Sequence, residues 1–365
     1  MSKPFQTSAS SQAMDMLSTL LLSPGVDASS PLVARLQSLQ PAEFDSLIEL
    51  AHSNHVVVRG MAVYRALMLE VGDSAKADRA DEIIAAETQR IARASTHLRL
   101  ICDAFAAAGL DLTVIKTLDH WPDFGSDIDL YTNANPARVC ELMQKQFNAA
   151  IATRSWGDRL AGKWNFEIPD LREAVEIHMQ RLGQTGEQLR LANNVPARAK
   201  ILQYGDHTFP VASASDRIMI STLQRMYRHF YFRLCDILDS ALLVTSGCID
   251  WNDLRASATT CGIWEGTATY LVLVSDYVQR YSGSGIALPA FVRQAARFDG
   301  SVMYVGGSFL RVPIMPQSAG LYRSQLLGSL RRGEIHSTAR LGILPWLATA
   351  AAIGHKITGS DKGIW

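Results

Sequence analysis

The sequence predicts an α+β protein in which a small mixed sheet lies between two helical regions. Three observations lead there. Apolar residues recur at helical spacing from about residue 31 to 73, and again after Phe209-Pro210. Asp127–Thr132 alternates polar and apolar, the period of a strand with one buried face. Further short β-type runs follow it before helical spacing returns. The expected division is a helical region over 1–80, a sheet-bearing core over 81–212 and a helical domain over 213–365.

The elements are justified in chain order. Residues 1–30 carry Ser, Ala and a Pro-Gly pair, and read as a loose arm around one short helix. Pro41 followed by Ala-Glu marks a helix start, since proline is tolerated in the first turn. A second helix is expected from about Val56 to Leu69, and a long one from Asp81 to Ala108, stopped by Gly109. Leu112, Val114 and Ile115 form a short strand; a loop with Pro122 and Gly125 precedes the Asp127–Thr132 strand. Pro136 opens a helix to Phe147, and strands are expected at Ala150–Ser155, Lys163–Ile168 and Glu173–Gln180. Ser213 or Ser215 caps one helix expected to run through Met226 and Tyr231 to Val244. Helices beginning at Asp250 and spanning about 264–282 follow, then a tail broken by Gly and Pro with two more helical stretches.

Composition bounds the function. The 365 residues are 48% hydrophobic and 19% charged, suiting a compact protein with a sizeable core. Lys plus Arg and Asp plus Glu are 35 each, so no global field holds a polyanion, and a dedicated nucleic-acid binder is disfavoured. The five cysteines are odd in number and show no C-x-x-C pair, which fits reduced thiols in the cytoplasm. The N-terminus makes a poor signal peptide. The apolar stretch from Leu341 to Gly354 falls short of the about 20 residues needed to span a bilayer. Its basic flanks (Arg331, Arg332, Arg340, His355, Lys356) suit a packed helix or attachment to a membrane surface.

The chemistry centres on Asp127 and Asp129. On a strand, residues two apart share a face, with Cα atoms roughly 6–7 Å apart. Ile128 and Leu130 then face the core, leaving two adjacent carboxylates that a cation must neutralise. Mg²⁺ suits them, taking oxygen ligands at about 2.0–2.1 Å and keeping positions open for phosphate. Upstream, Lys116 and Thr117 end a strand, with nine residues to Asp127, room for one helical turn and a loop. A strand end leading into a helix N-terminus favours phosphate, and Lys116 adds a point charge. Downstream, alternation places Glu176, His178 and Gln180 on one face and Val175, Ile177 and Met179 on the other. If the two strands are neighbours, Glu176 joins the aspartates, and three carboxylates can hold two metals about 3.5–4 Å apart. Glu176 also suits proton acceptance from an attacking hydroxyl. Spacings of three and four set Arg225, His229, Phe232 or Arg233, Asp236 and Asp239 along one stripe of the expected 213–244 helix, facing either a cleft or the core.

This ordered set resembles the DNA-polymerase-β-like nucleotidyltransferase superfamily, whose core has a Gly-Ser pair, an Asp-x-Asp strand and a third carboxylate. Gly125-Ser126, Asp127-Ile128-Asp129-Leu130 and Glu176 match it. The chain is more closely similar to a bacterial group of uncharacterised nucleotidyltransferase family proteins. That group has a Lys-Gly strand end, an Asp-Ile-Asp-Leu strand and an Asp-Leu-His-Trp-like strand. The counterparts are Lys116-Thr117, Asp127–Leu130 and Glu176-Ile177-His178-Met179, with Tyr227–Asp239 and Ile249-Asp250-Trp251 resembling later helical segments. The resemblance covers roughly residues 40–280. Thr117 stands where that group has glycine, and Glu176 where it has aspartate.

The resemblance implies a nucleotidyltransferase core that moves a nucleoside monophosphate from a nucleoside triphosphate, ATP by expectation, to an acceptor, releasing pyrophosphate. Asp127, Asp129 and Glu176 would hold Mg²⁺ or Mn²⁺ and serve catalysis; Lys116, Thr117, Ser126 and His178 would contact the nucleotide. The acceptor class stays open among small molecules, sugars, peptides and proteins. The rival expectations are a nucleotide- and metal-binding regulator whose catalysis Thr117 and Glu176 have weakened, and a peripheral-membrane accessory protein using its C-terminal tail.

Overall fold

The computed structural model of the chain describes residues 9–358. Five helices come first: α1 (Ala9–Leu22), α2 (Pro31–Ser38), α3 (Pro41–Ser53), α4 (Val57–Glu70) and α5 (Ser74–Ala107). A sheet unit follows: β1 (Thr113–Val114), β2 (Asp127–Thr132), α6 (Pro136–Phe147), β3 (Ala150–Ile151), α7 (Trp156–Ala161), β4 (Lys163–Glu167), β5 (Ala174–Met179), α8 (Leu189–Arg198), β6 (Lys200–Tyr204) and β7 (His207–Val211). The remainder is α9 (Ala214–Thr222), β8 (Tyr231–Phe232), α10 (Leu234–Thr245), α11 (Trp251–Thr260), α12 (Trp264–Ser282), α13 (Ala290–Ala295), β9 (Tyr304–Gly306), β10 (Phe309–Arg311), α14 (Ala319–Arg331) and α15 (Ile335–Thr358). The class is α+β, as the sequence predicts.

The larger sheet is mixed, with strand order β3-β4-β5-β2-β1-β7-β6. β2 pairs parallel with β5 and antiparallel with β1. Ile128, Leu130, Val175 and Ile177 point to one face and are fully buried with Leu98 and Phe105 of α5 and Val139 and Met143 of α6. Removing each such side chain from water contributes about 1.5–3 kcal/mol, so this burial fixes which face of β2 is left for the aspartates. Further along that second face, Tyr131 is buried in the other core cluster.

That second cluster joins the N-terminal helices to elements that follow the sheet unit. Met14 and Leu17 of α1, Tyr64 of α4, Phe232 of β8 and Leu271 of α12 all lie in it. The hydroxyls of Ser18 in α1 and Tyr277 in α12 are 2.7 Å apart. The arm expected around α1 is therefore packed, not loose, because one face of α1 is apolar; residues 1–8 lie outside the described residues.

Several expectations need correction. α5 begins at Ser74 rather than Asp81, because the Asp73 side chain caps the Lys76 N–H. The Ala150–Ser155 run pairs only over β3, because Ser155 leaves the sheet to form a capping box with Asp158 and start α7. α8, the β6–β7 hairpin and the small antiparallel sheet β8-β10-β9 are additional. The helix expected from 213 to 244 is two. α9, capped by Ser213, widens into a π turn at Leu223–His229 and stops at Phe230, whose φ is 55°. The Asp236 carboxylate then accepts the Arg233 N–H at 2.7 Å, which starts α10. The stripe from Arg225 to Asp239 is therefore not one helix face; Arg225 and Asp236 meet across the break as an ion pair at 2.8 Å.

Candidate active site

Asp127 and Asp129 sit at the start of β2, on the face turned away from α5 and α6. The register sets Asp129 beside Glu176 of β5, and Glu176 beside Asn165 of β4. These three carboxylates thus share one cleft of about 210 Å³, also lined by Asp119 and Asp236 and by Lys116, Lys163, Arg225, Arg228 and Arg233. β2 and β5 are neighbours, as the three-carboxylate reading requires.

Each carboxylate has a distinct environment. Lys116 Nζ lies 2.5 Å from Asp129 Oδ1 and 3.9 Å from Glu176 Oε1. Lys163 Nζ lies 2.8 Å from Glu176 Oε2 and 3.3 Å from Asp158. His178 Nε2 is 2.8 Å from Glu176 Oε1. Burial pushes the Asp129 carboxyl up to about 6; Lys116 opposes this and Glu176 adds to it. Burial and then the Glu176 charge raise Asp127, whose Oδ2 accepts a hydrogen bond from Ser126 Oγ at 3.2 Å. Burial alone would raise Glu176 too, but Lys116, the His178 hydrogen bond and Lys163 hold it well below the usual carboxylate range. The acidic row carries more negative charge than its two lysines balance.

Desolvation holds the His178 imidazole below its ordinary value, with Glu176 opposing and the two lysines reinforcing. Its ring is neutral, and Nε2–H must donate to the ionised Glu176. Nδ1 is buried with no hydrogen-bond partner among the described residues. Asp129, Glu176 and His178 each offer a ligand atom within 4.8 Å of the others. The donors of the row are carboxylate oxygens with one imidazole beside them, which fits Mg²⁺ or Mn²⁺.

Of the phosphate candidates, Lys116 and Ser126 line the cleft. Thr117 lines it too, but is buried, and its hydroxyl braces β2: it accepts from the Asp129 N–H at 2.6 Å and donates to the Asp127 carbonyl at 3.3 Å. The single helical turn expected after it is a 3-10 turn, Thr117–His120.

Sequence reasoning missed several cleft residues. Lys163 stands on the cleft face of β4, and the alternation of Lys163 and Asn165 with Trp164 and Phe166 carried that signal. His120 carried none. Its Nδ1 lies 2.6 Å from Asp239 Oδ2, and Arg59 bridges Asp239 at 2.7 Å and Asp123 at 2.8 Å. Burial disfavours the charged His120 ring, yet Cys235 and Asp239 raise it well above the ordinary imidazole range. Cys235 Sγ is 3.9 Å from Nε2. His120, Cys235 and Asp239 each offer a ligand atom within 4.8 Å of the others. His55 stacks on His120 at a centroid distance of 5.4 Å and also lines the cleft.

No family model matches the chain, and no curated protein matches it.

Proposed function

We propose that this protein is a metal-dependent nucleotidyltransferase, moving a nucleoside monophosphate from a nucleoside triphosphate, with ATP as the expected donor, to an acceptor. One observation carries the reading: Asp129 and Glu176 in register on neighbouring parallel strands, with Asp127 on the same face and basic side chains around the cleft. Asp127, Asp129 and Glu176 would hold Mg²⁺ or Mn²⁺, which when bound supplies positive charge at the reacting phosphate. With the acidic row neutralised, Lys116 is free to leave Asp129 for a phosphate oxygen. Arg225 supports triphosphate binding: it is fully buried, it lines the cleft, and among the described residues its Nη1 lacks a hydrogen-bond partner. Ser126 sits at the open edge, and His178 orients Glu176. The acceptor oxygen gives its proton to the carboxylate row and bonds to the α-phosphorus, the α–β bridging P–O bond breaks, and pyrophosphate leaves with the electron pair. Most of the rate would come from positioning and charge stabilisation.

The test is pyrophosphate release from ATP and Mg²⁺ with a panel of acceptors. Asp127→Ala and Asp129→Ala should each abolish release while keeping the wild-type circular-dichroism spectrum. Full Mg²⁺-dependent release by either variant would sink the mechanism. Binding of ATP without release across the panel would favour the regulator, a reading supported by the engagement of the Thr117 hydroxyl with β2.

A membrane-surface role has one observation in its favour. Ile343, Trp346 and Ile353 of α15 are exposed at spacings of three and seven, although no helix described is long and apolar enough to cross a membrane. The side chains of His355 and Lys356 lie outside the described residues. Flotation of the full chain on anionic liposomes, compared with a chain ending at Glu334, tests it. The five free thiols fit a cytoplasmic setting.

A further inference from the structure

A second chamber, of about 500 Å³, opens beside the carboxylate cleft. Its walls come from the end of the π turn, from α14 and from α15, with Phe230, Ala319, Tyr322 and Leu344 giving it an apolar and aromatic lining. Arg228 and His229 belong to both spaces, lining this chamber and the carboxylate cleft alike. Both residues close the π turn, immediately before the chain leaves the helix at Phe230.

The wall and the chamber differ in chemistry. Among the described residues no carboxylate pairs with Arg228. The ring of His229 lies 5.4 Å from that of Tyr231, which fixes its plane. Burial, and then the charges of Arg228, Arg225, Lys116 and Arg233, hold His229 well below the ordinary imidazole range. Its ring is therefore neutral and carries one unprotonated nitrogen, a hydrogen-bond acceptor. Gln184 adds another on the chamber wall, a buried amide oxygen with no hydrogen-bond partner among the described residues. Chambers of roughly 300–1,000 Å³ with apolar walls and a few fixed polar groups are typical of small-molecule sites. A polymer would need an open track, and a sugar would need many more polar partners.

We propose that this chamber holds the acceptor, and that the acceptor is a small molecule with an aromatic or aliphatic body whose hydroxyl donates a hydrogen bond to His229 at the boundary with the carboxylate cleft. The assignment of the occupant as acceptor rests on the nucleotidyl-transfer reading; the chamber's ligand chemistry does not. A nucleobase is the competing occupant. The acceptor is favoured because His229 lines both spaces, so a hydroxyl held there lies at the boundary of the carboxylate cleft while the apolar body stays in the chamber.

The test uses 2-naphthol, an apolar bicycle with one hydroxyl and its own fluorescence, titrated into the full chain. Saturable binding at one site per chain is expected. 2-Methoxynaphthalene, which cannot donate, should bind about tenfold more weakly, the worth of one hydrogen bond. His229→Phe should erase that preference. Ala319→Trp and Leu344→Trp, two independent ways of filling the chamber, should each weaken both ligands by at least about tenfold. Saturating ATP with Mg²⁺ should leave naphthol bound. Displacement by ATP assigns the chamber to the nucleobase and overturns the proposal. So does unchanged affinity in both tryptophan variants, equal affinity for the two probes, or no saturable binding. Naphthol binding needs neither metal nor turnover. Its failure would leave nucleotidyl transfer standing, and absent pyrophosphate release would leave the chamber standing.

Discussion

At the scale of single residues, the cleft works by unequal compensation. Glu176 receives two lysines and a histidine and stays ionised; Asp129 receives Lys116 alone and is raised. Proximity of carboxylates explains the inequality, since the charge that one keeps penalises the next. The same accounting applies to His55, which burial first, and Arg233 and His120 next, lower to about 2 from 6.5. Between those values the unfolded chain binds a proton there and the folded chain does not. The free energy of unfolding therefore rises with pH across that window and is lost as pH falls below 6.5. His55 has a φ of 52°, a conformation that asparagine tolerates. His55→Asn should therefore keep the fold and remove this site's share of the acid sensitivity. Urea denaturation should show wild type losing about 2 kcal/mol more than the variant between about pH 7 and about pH 5. Equal losses would show that His55 takes its proton in the folded state.

At the scale of elements, short local devices aim the functional side chains. Gly162 ends α7 with φ at 68°, immediately before Lys163 opens β4. Its carbonyl accepts the Met179 N–H at 2.8 Å, tying that turn to the end of β5. A Cβ added there would stand 2.7 Å from the Met179 carbonyl oxygen. Gly162→Ala should cost at least about 1–2 kcal/mol in urea denaturation, from the left-handed backbone alone. It should also weaken Mg²⁺-ATP binding under the proposed function, because Lys163 moves off Glu176. Wild-type stability would mean that the turn relaxes freely. The π turn and Phe230 act likewise on the opposite wall, turning Arg228 and His229 to the boundary of the two chambers.

At the scale of the molecule, the carboxylate face of the sheet abuts a core built from the N-terminal helices and elements that follow the sheet unit. Leu17 is fully buried in it, and its Cδ1 lies 3.4 Å from where a Cβ on Gly60 of α4 would stand. Leu17→Ala should destabilise by about 2–5 kcal/mol, the usual range for a leucine cavity. Hydrogen exchange should quicken in α12 as well as in α1, since the two helices share that core. Faster exchange confined to α1 would mean that the two helices melt separately.

Much of this was legible in the chain. The bounds of β2 and α6, the caps at Ser213 and Asp250, and the one-sidedness of Asp127 with Asp129 and of Glu176 with His178 all follow from local chemistry and period. Strand register, the Phe230 break and the convergence of His55 and His120 on the cleft were not legible. Contacts such as His120 with Asp239, 119 residues apart, depend on which surfaces pack together, and periodicity reports only that a face is apolar. By itself the sequence determined that two aspartates would share a face and that a third carboxylate lay on another strand. Only the tertiary structure decided that the two strands are neighbours, because register is a property of the pair of strands and of the core beneath them.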